Sequence, residues 1–298
     1  MRCDAVSEKL DAFRTGELGR SELEEITAHL ASCGSCLQEL ADIQRIATRA
    51  RGMRASAPEA IFERILMSIG DRYAELETDL GRMWVGFNAR GITMVHPRAQ
   101  EAKAFEDSYE KRIGRRPLRS AIPKSYARSL QRAAAGTLLS DTPVDLSSLS
   151  PFEQKVLLLL RRIPRGEVRP YAWLAREAGR PQAVRAVGNA MARNPIPFLL
   201  PCHRVVPTAG GIGNYAFGSA LKRELLLREE APVDEIEQLG RAGVRYVGCR
   251  STNIYCFPTC HDARRMRPEN RVPLRSVKEA DAAGYRPSRH CKPLAVAF

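Results

Sequence analysis

The 298-residue chain has no run approaching the roughly 18 consecutive apolar residues that a membrane span needs, so no membrane partner is expected. Its first residues lack the basic start, apolar stretch and small-residue end of a secretory signal, and a cytoplasmic protein is the default expectation. This bears on its eight cysteines, Cys3, Cys33, Cys36, Cys202, Cys249, Cys256, Cys260 and Cys291. With no secretory signal, an even count does not argue for disulfides. The spacings are those of metal sites plus one isolated thiol. Tandem repeats and low-complexity tracts are missing as well. Acidic charge is scarce, with 34 Asp and Glu against 47 Lys and Arg, a net +13. Such an excess suits a phosphate backbone, because each cation that meets a phosphate releases counterions. Alone, it also describes any soluble basic protein. The excess is uneven: residues 1–50 carry six basic and nine acidic residues, residues 161–193 carry eight and two, and residues 236–298 carry twelve and five. DNA contact is therefore expected from the middle and the C-terminal end.

Length suggests two or three compact units, and the motifs divide the chain into a helical unit at 1–49, an α/β unit at 60–145, a helical unit at 150–232 and a small unit at 236–298. Residues 50–58 (ARGMRASAP) are basic, small and aperiodic, as a linker is. Residues 83–88 and 92–96 predict a β-hairpin turning through Ala89-Arg90-Gly91. Pro151 suits the first turn of an apolar helix. Residues 171–178 and 182–193 predict two more helices around Gly179-Arg180-Pro181, a helix-turn-helix candidate. The Gly210-Gly211-Ile212-Gly213 stretch lacks the strand-then-helix setting of a dinucleotide loop.

The isolated thiol is Cys202, in the run PCHRV. Only a thiolate is a good nucleophile, and His203 and Arg204 beside it are expected to depress its pKa. Taken alone, the run fits a buried structural cysteine better than a nucleophile, since free cysteine is among the most buried residue types. Its surroundings change that. PCHRV is preceded by RAVGNAMARNP and followed by GGIGNYAFG and KRELL; upstream lie TDLGRMWVGFNARGI and PFEQKVLLLLRRIPRGEV. Over about residues 78–229 this series resembles the O6-alkylguanine-DNA alkyltransferases. The resemblance implies a ribonuclease-H-like α/β part followed by a helical, helix-turn-helix catalytic part. Cys202 would accept the alkyl group, His203 would take its proton through a water, and Glu229 would orient that His. Asn194 would hold the turn and help position the thiol, and Tyr171 would donate a proton towards the guanine oxygen. Tyr215 would line the base pocket and Lys222 would support its loop. The base must be extruded to reach the thiol. The helix bearing Ala183, Ala186, Gly188, Ala190 and Ala192 would enter the minor groove, with Arg185 filling the vacated space. Phe217 stands where many members of the family carry glycine, so methyl should be accepted and large aryl-methyl groups poorly.

Near the C-terminus, Cys256-x3-Cys260 and Cys291 have thiolate spacing suited to zinc. RSTNIYCFPTC, RPEN and AAGYRP, within about residues 243–293, resemble the metal-binding domain of the Ada proteins. The resemblance implies four cysteines on zinc, with the residue matching Cys256 accepting methyl from a phosphotriester. Here Ser288 replaces the third cysteine, and His290 or Cys249 is left to complete the set. That substitution should lower the reactivity of the thiolates and leaves a DNA-docking role as the alternative. The domain also comes last, whereas Ada proteins usually carry it first.

At the other end, His29-x3-Cys33-x2-Cys36 lies on and after a helix, and Cys3 can complete a tetrahedral set. AHLASCGSC with Leu10-x5-Gly-Glu-Leu resembles the zinc-binding anti-sigma domains, which implies a sigma factor or another protein as partner. A zinc-stapled helix pair that docks on a neighbour is the plainer alternative. The whole chain thus reads as multidomain α/β with two small zinc domains flanking a suicide methyltransferase that acts on double-stranded DNA. Zinc is expected at both ends and no cofactor for the transfer itself. The alternative is an alkylation-responsive regulator acting through the zinc domains.

Overall fold

The computed structural model describes residues 2–52, 70–97, 101–137 and 142–293. Most of the expected linker, residues 53–58, lies outside the described residues. Two compact units divide near residue 65.

Among the described residues, the first unit has four helices, Cys3–Ser7, Leu10–Thr15, Arg20–Ser32 and Gly34–Gly52. Gly16, left-handed at φ 77°, ends the second of them, as glycine does at a helix C-terminus. Val6, Leu10, Ile26, Leu30, Cys36 and Leu40 form its small core. Six side chains bury little area, so this is a unit that gains from a metal staple.

The second unit opens with a four-stranded sheet of order β3-β2-β1-β4: β1 Arg72–Thr78, β2 Gly81–Asn88, β3 Gly91–His96 and β4 Leu118–Arg119. The first three are antiparallel and β4 runs parallel to β1. The predicted hairpin is β2–β3. Its turn is fastened by Asn88, whose Oδ1 accepts from the Arg90 and Gly91 amides while Nδ2 donates to Asp71 and Asp145. Gly91 is required there, since a Cβ would meet the Pro143 backbone at 2.5 Å. Alternation along the strands separates two faces. Tyr73, Trp84 and Met94 pack on Phe105 and Tyr109 of the helix Ala102–Ile113. Ala74, Leu76, Val85 and Phe87 face the other way, into the main core with Leu130 and Ala133 of the helix Lys124–Ala134.

The helical part follows. Ser150 and Glu153 form a reciprocal capping box that starts the helix Pro151–Leu159. The two expected helices are Tyr171–Glu177 and Val184–Ala192, and the second starts later than residue 182 because Pro181 and Gln182 belong to the intervening turn. The helix Ser219–Arg228 closes the part. A helix, Val233–Arg241, leads into a second four-stranded sheet of order β8-β6-β5-β7: β5 Tyr246–Cys249, β6 Ile254–Cys256, β7 Arg271–Leu274 and β8 Arg286–Pro287. Cys256, Phe257, Cys260, Ala263 and Cys291 belong to the same core as Trp173 and Leu174, so hydrophobic packing is continuous from the first sheet to the C-terminal cysteines. No helix among the described residues is long and apolar enough to cross a membrane.

Candidate functional site

Cys202 begins a 3-10 turn, Cys202–Arg204, directly after Pro201. The chain reaches it through a loop in which Phe198, nearly fully buried, holds φ 73°. A bulky residue in the left-handed region costs about 1 kcal/mol or more and persists only where packing fixes it. Asn194 ties this loop to the thiol. Its Nδ2 donates to the Leu200 carbonyl at 2.8 Å and to Cys202 Sγ at 3.0 Å, and its Oδ1 accepts from the Ile196 amide at 3.0 Å. The thiol in turn donates to the Tyr215 hydroxyl across 3.9 Å.

Behind the thiol lies a buried charge network. Glu229 Oε1 pairs with His203 Nε2 at 2.8 Å, and Arg204 donates to both oxygens of Glu229 at 2.7 and 2.8 Å. Arg204 also donates to the Ile163 carbonyl at 2.5 Å. Burial opposes ionisation of Glu229, but His203 and Arg204 outweigh it and hold the carboxyl at about 2. Burial lowers the His203 pKa despite Glu229, so the ring is neutral at pH 7. Its Nδ1 is buried and has no hydrogen-bond partner among the described residues. The sequence expectation for the thiol is reversed. Burial raises the Cys202 pKa, and Asn194, Tyr215 and Lys222 oppose the rise without cancelling it. Arg204 does not act on the thiol because its guanidinium is committed to Glu229.

Lys222 is buried and donates to the Val205 carbonyl at 2.7 Å and the Asn214 carbonyl at 3.3 Å, holding both ends of the loop before Tyr215. Burial lowers its pKa to about 8. Tyr171 is half-buried at the start of its helix; burial and the Cys202 sulfur raise its pKa. Phe217 stacks edge-on with Tyr215 at 5.6 Å and with His96 at 6.2 Å. Cys202, Asn194, Ala216 and Phe217 line a cleft of about 290 Å³ together with Met191, His96 and Arg112. The last two come from the α/β unit and were missed in the sequence, because neither carries a motif and they are remote from Cys202 along the chain. Arg185 stands apart from the cleft, exposed on its helix beside Ala186, Asn189 and Ala192. Nothing lies within 4 Å of a Cβ built on Gly188, so packing within the chain does not require glycine there.

The N-terminal ligand atoms of Cys3, His29, Cys33 and Cys36 all lie within 4.8 Å of one another. Cys3 Sγ is 3.7 Å from His29 Nε2 and 3.8 Å from Cys33 Sγ. A zinc–sulfur bond of about 2.3 Å in tetrahedral geometry sets sulfurs about 3.8 Å apart, so this quartet fits zinc. At the other end Cys256, Cys260 and Cys291 form a buried set within 4.8 Å, which also fits zinc as three thiolate donors. His290 is not in that set. It lies with Cys260 and Asp262, and its Nδ1 is 3.2 Å from Asp262 Oδ2. Cys249 pairs with Ser251 at 3.3 Å and joins neither group.

The loops that bring the three thiols together also grip the segment leading into the Tyr171 helix. Thr259 Oγ1 accepts from the Val168 amide at 3.0 Å, and Glu167 accepts from the His261 amide at 2.9 Å. Trp173 Nε1 donates to the Cys291 carbonyl at 3.2 Å, and Arg176 donates to the Lys292 carbonyl at 2.5 Å. Arg169, paired with Glu167, lies over the rings of Trp173 and Phe257.

A buried cysteine fastened by an asparagine and backed by a histidine–glutamate pair, beside two helices joined by a tight turn, defines a thiol acceptor built next to a DNA-binding element. Comparison with known proteins makes this specific. The family described as "6-O-methylguanine DNA methyltransferase, DNA binding domain" matches residues 151–231, "Metal binding domain of Ada" matches 240–293 and "Putative zinc-finger" matches 3–37. The methylated-DNA–protein-cysteine methyltransferase of Shigella flexneri is 34% identical over 161 residues, covering 52% of this chain and 93% of that protein. The human protein of the same name is 52% identical over 79 residues, covering 26% and 38%. The bifunctional transcriptional activator/DNA repair enzyme Ada of Escherichia coli K12 is 33% identical over 163 residues, covering 53% and 45%. The chain belongs to the methylated-DNA–protein-cysteine methyltransferase family. The zinc-finger match names a metal-binding module and no partner, so nothing in it supports a sigma factor.

Proposed function

We propose that this chain repairs DNA by moving a methyl group from O6 of guanine irreversibly onto Cys202. The observation that carries the reading is the thiol itself, buried, held by Asn194 at 3.0 Å and lining an open cleft in front of a neutral His203. A thiol with a raised pKa must lose its proton as it reacts. His203 is the acceptor, through a water bridging to its unpartnered Nδ1, and the imidazolium formed is stabilised by Glu229. Arg204 keeps Glu229 ionised and fixed. Sγ attacks the methyl carbon, the carbon–O6 bond breaks, and its electron pair stays on the guanine, towards which Tyr171 donates a proton. The product thioether is stable, so each molecule acts once.

The helix Val184–Ala192 is the element read as entering the minor groove. Its exposed Ala186, Asn189 and Ala192 leave room for close approach, and Arg185 takes the place of the extruded base. Tyr215, beside the thiol and edge-on to Phe217, is read as a contact for the extruded base, and Lys222 holds its loop. Phe217, fixed edge-on against His96, narrows the cleft in favour of methyl. The strand order of the first sheet, an antiparallel meander with a parallel fourth strand, supports reading that unit as ribonuclease-H-like. Zinc at the two ends would supply cross-links to small cores. The test is intact mass after incubation with duplex DNA containing O6-methylguanine. One methyl group should be gained, and binding without any gain would sink the reading.

A further inference from the structure

The C-terminal cysteines raise a question of coordination that the N-terminal ones do not. Zinc in a structural site takes four protein ligands, and a site with three keeps a position for an outside ligand. Among the described residues, Cys256, Cys260 and Cys291 converge with no fourth ligand atom within 4.8 Å of all three; Asp262 and His290 form a separate set with Cys260. Ser288 is buried nearby, but a neutral hydroxyl is a poor ligand, and its Oγ accepts from the His290 amide at 3.2 Å. His290 pairs with Asp262 through Nδ1 at 3.2 Å and stands in ligand range of Cys260 but not of all three thiols.

A cleft of about 570 Å³ has both Cys256 and Ser288 in its wall. Arg265, Arg267, Arg286 and Arg289 line it, against the single carboxylate of Asp262. These four side chains are exposed, and none makes a hydrogen bond or ion pair with another described residue. Unpaired guanidinium groups in such a cluster suit a phosphate oxygen, which they bind with directed, charge-assisted hydrogen bonds.

We propose that the metal held by Cys256, Cys260 and Cys291 keeps its fourth coordination position for a phosphate oxygen delivered through this arginine-lined cleft. Three thiolates leave the site with one negative charge fewer than four would, which eases the approach of an anion. The inference does not depend on chemistry at Cys202, and its test does not involve that residue.

Cobalt(II) reports coordination directly, through its visible absorption. In the full chain loaded with cobalt, the N-terminal quartet contributes a constant background because its four ligands are all protein. The C-terminal spectrum should shift saturably with imidazole and with inorganic phosphate. Ser288→Cys should abolish both responses by closing the site. Arg265→Gln combined with Arg289→Gln should weaken phosphate binding about tenfold or more and leave the imidazole response intact. Competition by undamaged duplex DNA would assign the position to backbone phosphate, and its absence would assign it to free phosphate. A wild-type spectrum unmoved by either small ligand would overturn the proposal. So would a response that appears only in His290→Ala, and a response to imidazole without one to phosphate would overturn the oxyanion assignment.

Discussion

Cys202 and Cys256 are both hidden from solvent, at 6% and 1% exposure, so burial does not distinguish them. Their neighbours do. Around Cys202 stand single hydrogen-bonding groups, each of which also holds something else in place. Asn194 holds the loop, Tyr215 packs edge-on against Phe217, and Lys222 binds two carbonyls. Around Cys256 stand two more thiols and, outside them, unpaired arginines. The first setting holds a protonated thiol next to a base. The second suits a thiolate already bound to a cation. The two settings suit two ways of preparing a sulfur, proton transfer on demand and metal coordination.

The sharpest way to break this contrast is to remove each sulfur. Cys202→Ser should eliminate methyl gain from O6-methylguanine DNA, and Cys256→Ser should leave it in place, as read by intact mass. A gain that survives in Cys202→Ser would place the acceptor elsewhere. Next in size is Glu229→Gln, expected to slow transfer about a hundredfold by leaving the imidazolium without its counter-charge. The same variant tests a pH effect. Glu229 has a folded pKa of about 2 against an ordinary 4.5, so its contribution to stability is complete above about 4.5 and is lost as pH falls through about 2. His203, whose pKa is also depressed, adds a loss of the same sign as pH falls below its ordinary value of 6.5. Acid titration of urea stability should show the lower part of this limb in the wild type and not in Glu229→Gln.

Phe217→Gly should raise the rate on O6-benzylguanine about tenfold while changing the rate on O6-methylguanine much less, since one ring is removed from the cleft wall. Equal wild-type rates on the two substrates would show that Phe217 does not restrict the cleft. The smallest effect concerns the join between the two settings. Trp173→Phe removes one hydrogen bond to the Cys291 carbonyl and should cost about 1 kcal/mol in urea unfolding of the zinc-loaded protein. No loss would mean that the C-terminal cysteines and the Tyr171 helix are not energetically joined.

Much of this protein was legible in order along the chain. Cys202 and His203 are adjacent, Asn194 is eight residues away, and the N-terminal ligands His29, Cys33 and Cys36 follow a helical spacing. Short-range spacing of this kind is set by backbone geometry, so sequence by itself determined the acceptor, the quartet and the helices around the tight turn. Tertiary structure alone decided the rest. The Arg204 guanidinium meets Glu229 across 25 residues, and that contact takes it away from the thiol it was expected to influence. His96 and Arg112 enter the cleft only because the first sheet packs on the catalytic helices. His290 sits with Cys260 and Asp262 as a set separate from the three thiols, a placement its spacing in the sequence does not show. Spacing shows which side chains can meet; burial and competing partners, which depend on how distant segments pack, decide which of them do.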